Sequence, residues 1–372
     1  MPWHPLTPMP ELSNALCRKN ECQGDTMNSK QRVRTALSHQ QPDKTPFLAY
    51  LTGEVQAKLT ALYGLDGQDL FVHLGHDVLV STAGIWRRQW VDKDQLVDTW
   101  GIRWHNVDYG PGQYLEILEY PLAHIDDVNA YTFPDPKADV ENSDIDRILS
   151  QYGQTHWIVG GAVGTMFETA WMLRGLEQFM MDLVTNPVYA EELVERSMRY
   201  HLEIAKILVK KGVDMIWTGD DFGQQHQLML SPKMWRCIFK PRYREFYTEL
   251  KRLNPNILIA HHSDGYIEPI IPDFIEIGLD VLQAVQPQSM NPSKLKAQFG
   301  DRLSFWGTMD VQHTFPYGSP EDVADEVRQR VEFVGKGGGL ILAPAHNIQP
   351  DVPLENLQAF YSTIRPEKAD LY

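Results

Sequence analysis

The sequence has few cysteines, no long apolar run and no excess of basic residues. Only three cysteines occur among 372 residues, which is too few for a disulfide framework and is typical of a reducing compartment. No apolar run approaches the ~20 residues that a transmembrane helix requires. Lysine and arginine number 34 against 49 acidic residues, so the net charge of −15 repels nucleic acid and anionic lipid. Because no basic segment followed by an apolar one opens the chain, we expect a cytoplasmic protein with neither nucleic acid nor a membrane as a partner.

The first 26 residues differ in composition from the rest of the chain. They carry four prolines, two of the three cysteines and no periodic apolar pattern, so we expect residues 1–26 to be a disordered leader. Helix-capping residues then appear at Asn28 and Ser29. We expect residues 27–372 to form one domain.

Strand-like apolar runs alternate with helical patterns from Asp43 onward. The predicted strands are Pro46–Leu51, Val78–Ser81, His156–Gly160, Met215–Gly219, Ile257–Ala260, Val281–Ala284, Leu303–Gly307 and Leu340–Ala343. This alternation predicts a parallel sheet, either closed into a (βα)8 barrel or open and doubly wound. We favour the barrel because the sequence has no Gly-x-Gly-x-x-Gly turn and polar groups follow strands along the whole chain.

Proline marks the predicted start of four helices. The pairs Asn186-Pro187, Ser231-Pro232, Asn291-Pro292 and Ser319-Pro320 each place a capping residue before a proline at the first helical position. The clearest helix runs from Pro187 to Lys211 and has one apolar stripe. Between Trp86 and Phe133 the pattern changes to aromatics, glycines and alternation, which predicts a β-hairpin insertion that covers one mouth of the barrel.

Titratable side chains follow several predicted strands. They are Glu168, Asp220, Asp221, Gln224, His261, His262, Asp264, Asp310, His313 and His346. In a barrel these groups converge on one face, although several of them are equally suited to capping helices. His262 and Asp264 point the same way from an extended segment, and with His346 they form a two-histidine, one-carboxylate set that is typical of open metal sites.

Two further carboxylates are candidates for work on a substrate. Asp221 follows Asp220 at a backbone bend, where it is suited to act as a base, as a substrate anchor or simply as a helix cap. Glu168 lies on the first turn of a helix that otherwise reads apolar, where Arg174 is a possible ion-pair partner.

From Met27 onward the chain resembles the uroporphyrinogen decarboxylase superfamily. The motifs that carry this resemblance are Arg32-Val33-Arg34-Thr35-Ala36-Leu37, Leu74-Gly75-His76-Asp77, Gly219-Asp220-Asp221-Phe222-Gly223, His262-Ser263-Asp264-Gly265, Gly307-Thr308-Met309-Asp310 and His346-Asn347-Ile348-Gln349-Pro350. The resemblance implies a (βα)8 barrel. We expect Asp77, Asp220, Gln224 and Asp310 to contact the substrate.

The details of the resemblance separate two branches of the superfamily. The decarboxylases carry arginines after the first strand that bind substrate carboxylates, whereas this chain has none between Ala49 and Val55. The cobalamin-dependent methyltransferases bind zinc through a His-x-Cys pair and a later cysteine. His262 matches that histidine, Asp264 replaces the first cysteine, and His346 lies near the place of the second. His346 also matches a histidine with which the decarboxylases contact the tetrapyrrole.

The resemblance therefore implies a metal-dependent methyltransferase that moves a methyl group between a small substrate or thiol and a corrinoid. Since no Asp-x-His-x-x-Gly cobalamin motif occurs, we expect a separate protein to carry the corrinoid. We expect His262, Asp264 and His346 to bind Zn²⁺ or another divalent metal, and Glu168, Asp221 and His346 to be catalytic. Two alternatives remain, a metal-free decarboxylase or lyase that uses Asp221 and His346, and a non-catalytic barrel that binds a corrinoid or tetrapyrrole.

Overall fold

A computed structural model describes residues 27–83, 88–110 and 112–371 of the chain. The leader predicted for residues 1–26 lies outside the described residues. None of the helices in the described ranges is long and apolar enough to cross a membrane.

The fold combines strands of two separate sheets with helices that connect and cover them. The strands are β1 Val78–Thr82, β2 Arg88–Trp90, β3 Gln95–Asp98, β4 Arg103–Asp108, β5 Gln113–Glu119, β6 Trp157–Val163, β7 Met215–Gly219, β8 Leu258–His262, β9 Val281–Ala284, β10 Ser304–Met309 and β11 Leu340–Pro344. The helices are α1 Ser29–Leu37, α2 Gly53–Tyr63, α3 Gly67–His73, α4 Pro136–Glu141, α5 Ile145–Tyr152, α6 Phe167–Arg174, α7 Leu176–Thr185, α8 Pro187–Lys211, α9 Pro232–Leu253, α10 Ile271–Glu276, α11 Pro292–Phe299, α12 Thr314–Tyr317, α13 Pro320–Phe333 and α14 Leu354–Ile364. Short 3₁₀ helices span Val128–Ala130, Glu268–Ile270 and Pro366–Leu371.

Seven strands form one curled parallel sheet in the order β1-β6-β7-β8-β9-β10-β11. Seven of the eight predicted strands correspond to these strands, each within two residues of its predicted start. The pairing places Gly219 at the end of β7 opposite His262 of β8, and His262 opposite Gln283 of β9. Because parallel strands carry their carboxyl ends to one edge, this register brings side chains from distant parts of the chain together.

The first predicted strand, Pro46–Leu51, is an irregular segment. On one side its backbone pairs with the β11 region, where Leu48 N donates to Leu342 O at 3.1 Å. On the other side Asp77 N donates to Phe47 O at 2.9 Å, next to the start of β1. The segment thus takes the eighth position around the curled sheet, which gives a TIM-barrel-like fold.

The prolines mark helix starts as predicted. Helices α8, α9, α11 and α13 each begin at the proline of their predicted pair. The side chains of Ser231, Asn291 and Ser319 accept hydrogen bonds from backbone amides of the first turn, which satisfies donors that no helical carbonyl reaches. The side chain of Asn186 makes no such bond at the start of α8.

The insertion between β1 and α4 is larger than the predicted hairpin. Strands β2, β3, β4 and β5 form a four-stranded antiparallel sheet in sequence order. Its last strand contacts the main fold where Gln113 N donates to the carboxylate of Glu54 at 3.2 Å. Trp90 is 60% exposed on this sheet, and Tyr109 and Tyr114 are also exposed. The small sheet therefore stands beside the mouth of the fold with aromatic side chains on its surface.

Candidate metal and active site

A cavity of about 350 Å³ opens at the carboxyl edge of the curled sheet. It is lined by Tyr50, Val163, Gly164, Glu168, Met172, Trp217, Asp221, His262, Gln283, Ala345, His346 and Asn347. We call this space the central cavity. Its lining comes from the irregular segment, from strands β6, β7, β8 and β9, from helix α6 and from the loops after β6, β7 and β11. This edge is where TIM-barrel enzymes place their chemistry.

Two carboxylates and an imidazole form a compact cluster at one wall of the central cavity. His262 Nε2 lies 3.4 Å from Asp221 Oδ1 and 3.9 Å from Asp264 Oδ1. One ligand atom from each of these three residues lies within 4.8 Å of the other two. His346 lies outside this group of three, but its Nε2 is 3.8 Å from Asp264 Oδ2. The structure therefore groups two of the three residues proposed as metal ligands, His262 and Asp264, with Asp221, and it places His346 beside Asp264.

The backbone around the cluster is tightly packed, and this packing needs glycine at two places. A Cβ atom on Gly219 would lie 2.7 Å from the Cβ of His262. A Cβ on Gly265, which has a φ of +75°, would lie 2.6 Å from backbone atoms of Gly223. Asp264 N in turn donates to Asp221 Oδ1 at 2.7 Å. The loops after β7 and β8 are thus held against each other, and this contact fixes the spacing of the carboxylates.

Gln283 determines which nitrogen of His262 faces the carboxylates. The Nδ1 of His262 donates a hydrogen bond to Gln283 Oε1, and the Gln283 side chain is buried. With the proton on Nδ1, the lone pair of Nε2 points toward Asp221 and Asp264. Hydrogen bonds of this kind orient metal-binding histidines and set their tautomer.

The donor set fits a divalent cation. The side-chain atom Asp264 Oδ1 is buried and has no hydrogen-bond partner among the described residues. Buried polar atoms are rarely left without a partner, and a bound cation would supply one for this oxygen. The separations of 3.4 and 3.9 Å are close to the spacing of about 3–3.6 Å between neighbouring ligands of an ion bound at about 2.1 Å. Oxygen and imidazole ligands without thiolates suit harder ions than a cysteine-rich site does.

The electrostatics of the cluster favour a positive charge at its centre. Burial alone would lower the pKa of His262, but the charges of Asp221 and Asp264 outweigh it and raise the pKa. Burial raises the pKa of Asp264, and the charge of Asp221 acts in the same direction. Carboxylates that crowd together in a poorly solvated site raise one another's pKa, and a bound cation relieves this repulsion.

Glu168 lies across the central cavity from the cluster, on the first turn of α6. Burial raises its pKa well above the usual value, and the charges of Asp221, Asp220 and Asp264 raise it further. This environment favours the protonated form of the carboxyl group. A protonated carboxyl that faces a cavity is suited to donate a hydrogen bond or a proton to a bound molecule.

Asp220 is a positioning residue for Glu168. Its Oδ1 accepts from Glu168 N at 2.8 Å and from Met166 N at 3.1 Å, and its Oδ2 accepts from the hydroxyl of Tyr243. Burial raises the pKa of Asp220 to about 7 despite these bonds, which favour the charged form. Its carboxylate therefore holds the turn before α6 and does not line the central cavity.

Three other expected substrate contacts also lie outside the lining of the central cavity. Asp77 is fully buried near the start of β1, where its carboxylate binds Arg32 Nη1 at 2.6 Å and Arg365 Nη2. Gln224 is an exposed loop residue that accepts from Gln227 Nε2. The Oδ1 of Asp310 accepts from two backbone amides of the turn before α12, at 2.7 and 3.1 Å. These positions give the expected substrate contacts no support, and we assign Asp77 and Asp310 structural roles.

Two histidines that follow strands in the sequence also lie away from the cluster. His261 points to the outside of the sheet, where its Nδ1 lies 3.1 Å from Thr218 Oγ1 and its ring packs against Phe274. His313 is exposed, with its Nδ1 3.5 Å from Asp310 Oδ2. Adjacent residues of a strand face opposite sides, so only one of His261 and His262 can reach the central cavity.

Several residues of the site gave no clear signal in the sequence. Gln283 lies within a short strand whose other residues are apolar, and only its polar side chain at a buried position distinguishes it. Tyr50 and Trp217 read as ordinary core residues. In the structure their rings stack at 5.5 Å between centroids, and Trp217 also meets the ring of His262 edge-on at 6.0 Å.

Comparison with known proteins identifies relatives of two activities. Residues 105–366 match the family model described as uroporphyrinogen decarboxylase. A methylcobamide:CoM methyltransferase of Methanosarcina barkeri is 25% identical over 202 residues, which is 54% of this chain and 56% of that protein. A uroporphyrinogen decarboxylase of Pseudoalteromonas translucida is 24% identical over 282 residues, covering 68% of this chain and 73% of that protein. The chain thus spans little more than half the length of the methyltransferase it matches.

A solved structure supports the fold along most of the chain. A methyltransferase from Methanosarcina mazei superposes with a TM-score of 0.68 and 21% sequence identity, and it covers 92% of this chain and 100% of that one. At this identity the likeness concerns the fold.

Proposed function

We propose that this chain, which belongs to the uroporphyrinogen decarboxylase family, is a metal-dependent methyltransferase. It would move a methyl group between a small substrate or thiol and a separate corrinoid protein. The observation that carries this proposal is the cluster of Asp221, His262 and Asp264 at the wall of the central cavity. The similarity to the methylcobamide:CoM methyltransferase of Methanosarcina barkeri supports methyl transfer as the type of reaction.

His262, Asp264 and Asp221 would hold the metal ion, and His346, whose Nε2 lies 3.8 Å from Asp264 Oδ2, would be a further ligand. A divalent cation bound there would act as a Lewis acid, which acidifies a thiol or polarises the heteroatom that carries the methyl group. Two carboxylates and neutral imidazoles together balance the charge of a divalent ion, so this site would suit Zn²⁺ or a harder ion.

The remaining residues of the central cavity bind the substrate and manage its proton. Glu168 lines this cavity, and burial favours the protonated form of its carboxyl group, so it is suited to protonate the heteroatom that loses a methyl group. Asp220 keeps the first turn of α6 in place through the backbone amide of Glu168. Trp217 and Tyr50 stack on each other and give this side of the cavity an aromatic surface for an apolar part of the substrate.

The corrinoid would arrive on a partner protein that docks at the mouth of the fold. The small sheet stands at this mouth, and a cleft lined by Glu54, Tyr109, Tyr114, Asn347 and neighbouring residues separates it from the main fold. Exposed aromatic side chains are enriched at protein interfaces. Pull-down with candidate corrinoid proteins, followed by assay of methyl exchange in both directions, tests this partner.

The experiment that tests the proposed activity uses free methylcobalamin as the methyl donor and a small thiol as the acceptor. We expect demethylation, followed by its change in visible absorbance, in protein that is supplied with divalent metal. Treatment with a chelator and the substitution His262→Ala should each abolish it, whereas His124→Ala, which changes an exposed histidine of the insertion, should not. Equal activity with and without chelator would contradict the proposal.

Decarboxylation is the second candidate, because the similarity to a uroporphyrinogen decarboxylase extends over 282 residues. In that case Asp221 and His346 would hold a protonated intermediate without a metal. The described residues that line the central cavity include no lysine or arginine, whereas a polycarboxylate needs counter-charges. Turnover of uroporphyrinogen III in the presence of a chelator would favour this alternative over the methyltransferase.

A further inference from the structure

The curled sheet has a gap beside β1 that the surrounding side chains do not fill. The irregular segment at 46–51 follows the β11 region, where Ile348 N donates to Tyr50 O at 2.8 Å. On the side of β1, the hydrogen bond from Asp77 N to Phe47 O joins the segment to the start of the strand. Beyond this bond, Gln68 of α3 supplies a donor to the edge of β1, with Gln68 Nε2 3.1 Å from Val80 O. A side chain thus takes the place of a strand along this edge.

A second cavity of about 320 Å³ occupies this gap. It is lined by Leu48, Ala49, Tyr50, Leu51, Gln56, Gln68, Phe71, His76, Val78, Val80, Thr82, Val163, Trp217 and Asn347, and we call it the side pocket. Its lining is mostly aliphatic and aromatic. An apolar cavity of about 150 Å³ is enough to take up benzene, so the side pocket has room for one ring with substituents.

The side pocket continues into the central cavity. Tyr50, Val163, Trp217 and Asn347 line both spaces. Trp217 also meets the ring of His262 edge-on, so the residues that the two spaces share lie beside the metal cluster. A molecule whose ring fills the side pocket would therefore extend past Tyr50 and Trp217 toward the cluster.

The side pocket disfavours an anionic occupant. The described residues that line it include no lysine or arginine. His76 in the side pocket bonds to the hydroxyl of Tyr361 through Nε2 at 3.0 Å. Burial lowers the pKa of His76 to about 3, so this ring is neutral at physiological pH. A carboxylate or sulfonate held in the side pocket would find no counter-charge on its walls.

Three polar atoms on the walls of the side pocket are buried without a partner. They are the hydroxyl of Tyr50, the indole nitrogen of Trp217 and Oε1 of Gln68. Tyr50 and Trp217, which line both spaces, provide donors at the junction with the central cavity, and Gln68, which lines only the side pocket, provides an acceptor. An occupant with an acceptor oxygen near the junction and a hydroxyl at its other end would satisfy these groups with small side-chain rotations.

We propose that the side pocket binds the ring of a neutral, one-ring methyl ether that bears a hydroxyl group, with its methoxy end directed past Trp217 toward the metal cluster. This inference rests on the proposed function for the role of the methyl group, but the binding site itself is argued from the cavity. The substrate class is thus a small neutral phenolic ether.

The test is direct binding of 4-methoxyphenol, measured by calorimetry on the full chain without corrinoid. As a matched anionic probe, 4-methoxybenzoate has the same ring and methoxy group and a carboxylate in place of the hydroxyl, so its charge would lie in the side pocket and away from the metal cluster. We expect 4-methoxyphenol to bind at least about tenfold more tightly than 4-methoxybenzoate. Equal or tighter binding of 4-methoxybenzoate would overturn the inference, and this comparison needs no variant.

Substitutions at Val80 locate the binding site, because Val80 lines the side pocket but not the central cavity. Val80→Phe should weaken binding of 4-methoxyphenol at least about tenfold by filling the pocket, and the milder Val80→Ile should weaken it by a smaller factor. Val188→Phe, at a position that is 82% exposed on α8, is the control and should leave binding unchanged. Unchanged binding in both Val80 variants would refute the assignment.

The metal site and the side pocket can be separated by measurement. We expect His262→Ala to lose the metal and to keep binding of 4-methoxyphenol, and Val80→Phe to keep the metal. Methylcobalamin demethylation by a thiol without any binding of 4-methoxyphenol would overturn the subsite and leave the proposed function intact. Binding of 4-methoxyphenol without demethylation would support the subsite and count against the proposed function.

Discussion

Replacing Gln283 by leucine tests how the protein prepares His262 to bind a metal. The Gln283 side chain is buried, and its Oε1 accepts the proton of His262 Nδ1. In Gln283→Leu this nitrogen has no acceptor, so the proton can move to Nε2 and occupy the lone pair that faces Asp221 and Asp264. The ring also loses the contact that fixes its orientation.

The expected loss of metal affinity follows from the usual effect of hydrogen bonds that orient metal-binding histidines. Removing the hydrogen-bond partner of a metal-binding histidine weakens metal binding about 10–100-fold, which corresponds to about 1.4–2.7 kcal/mol. Titration of Zn²⁺ or Mn²⁺ into protein from which a chelator has removed the metal measures this change in affinity. Gln283→Glu keeps an acceptor at the same place and should retain binding.

The control is Gln312→Leu, which changes an exposed glutamine whose amide pairs with Gln225 at the surface. It makes the same chemical change away from the cluster and should leave metal affinity unchanged. Circular dichroism would show whether each variant is folded. If Gln283→Leu binds metal as tightly as the unaltered protein, the orienting role assigned to Gln283 is wrong.

Three further predictions concern stability and proton transfer. Asp77→Asn should lower the free energy of unfolding in urea by about 3–5 kcal/mol, because it breaks buried ion pairs, and it should leave metal binding intact. Asp325→Asn, which affects an exposed ion pair, should lower it by less than about 1 kcal/mol. Equal effects of the two substitutions would contradict the structural role assigned to Asp77. Glu168→Gln should keep the metal but slow the demethylation of an oxygen or nitrogen methyl donor at least about 100-fold, because the heteroatom that loses the methyl group needs a proton, and unchanged turnover of such a donor would exclude Glu168 as the proton donor. Burial lowers the pKa of His76 and of His201 to about 3, below the value of about 6.5 in the unfolded chain. The free energy of unfolding should therefore be highest above pH 6.5 and should fall toward pH 3 by up to about 1.4 kcal/mol per pH unit for each ring. A free energy of unfolding that stays constant from pH 7 to pH 5 would contradict this.

The sequence predicted the elements whose signals are local. Prolines that follow a serine or an asparagine marked the starts of four helices, and apolar runs marked seven strands of the curled sheet. The segment at Pro46–Leu51 reads as a strand but is irregular, because Gln68 from a later helix bonds to the edge of β1 in its place. The insertion reads as one hairpin but has four strands, since short strands with exposed faces leave a weak alternation.

The candidate site shows the same division between local and distant signals. His262 and Asp264 could be grouped from their spacing, and His346 from the matching end of its strand. The role of Asp77 could not be predicted, because one of its partners, Arg365, lies 288 residues further along the chain. Gln283 was missed because its function depends on the register that places it opposite His262.

The most direct test of the account is the metal content of the protein. Purified without chelator and analysed by inductively coupled plasma mass spectrometry, the unaltered chain should contain about one divalent ion per chain. The variants His262→Ala and Asp264→Ala should lose it while remaining folded, and His124→Ala should keep it. Absence of a stoichiometric metal from the unaltered protein, with no uptake of added Zn²⁺ or Mn²⁺, would contradict the proposed centre.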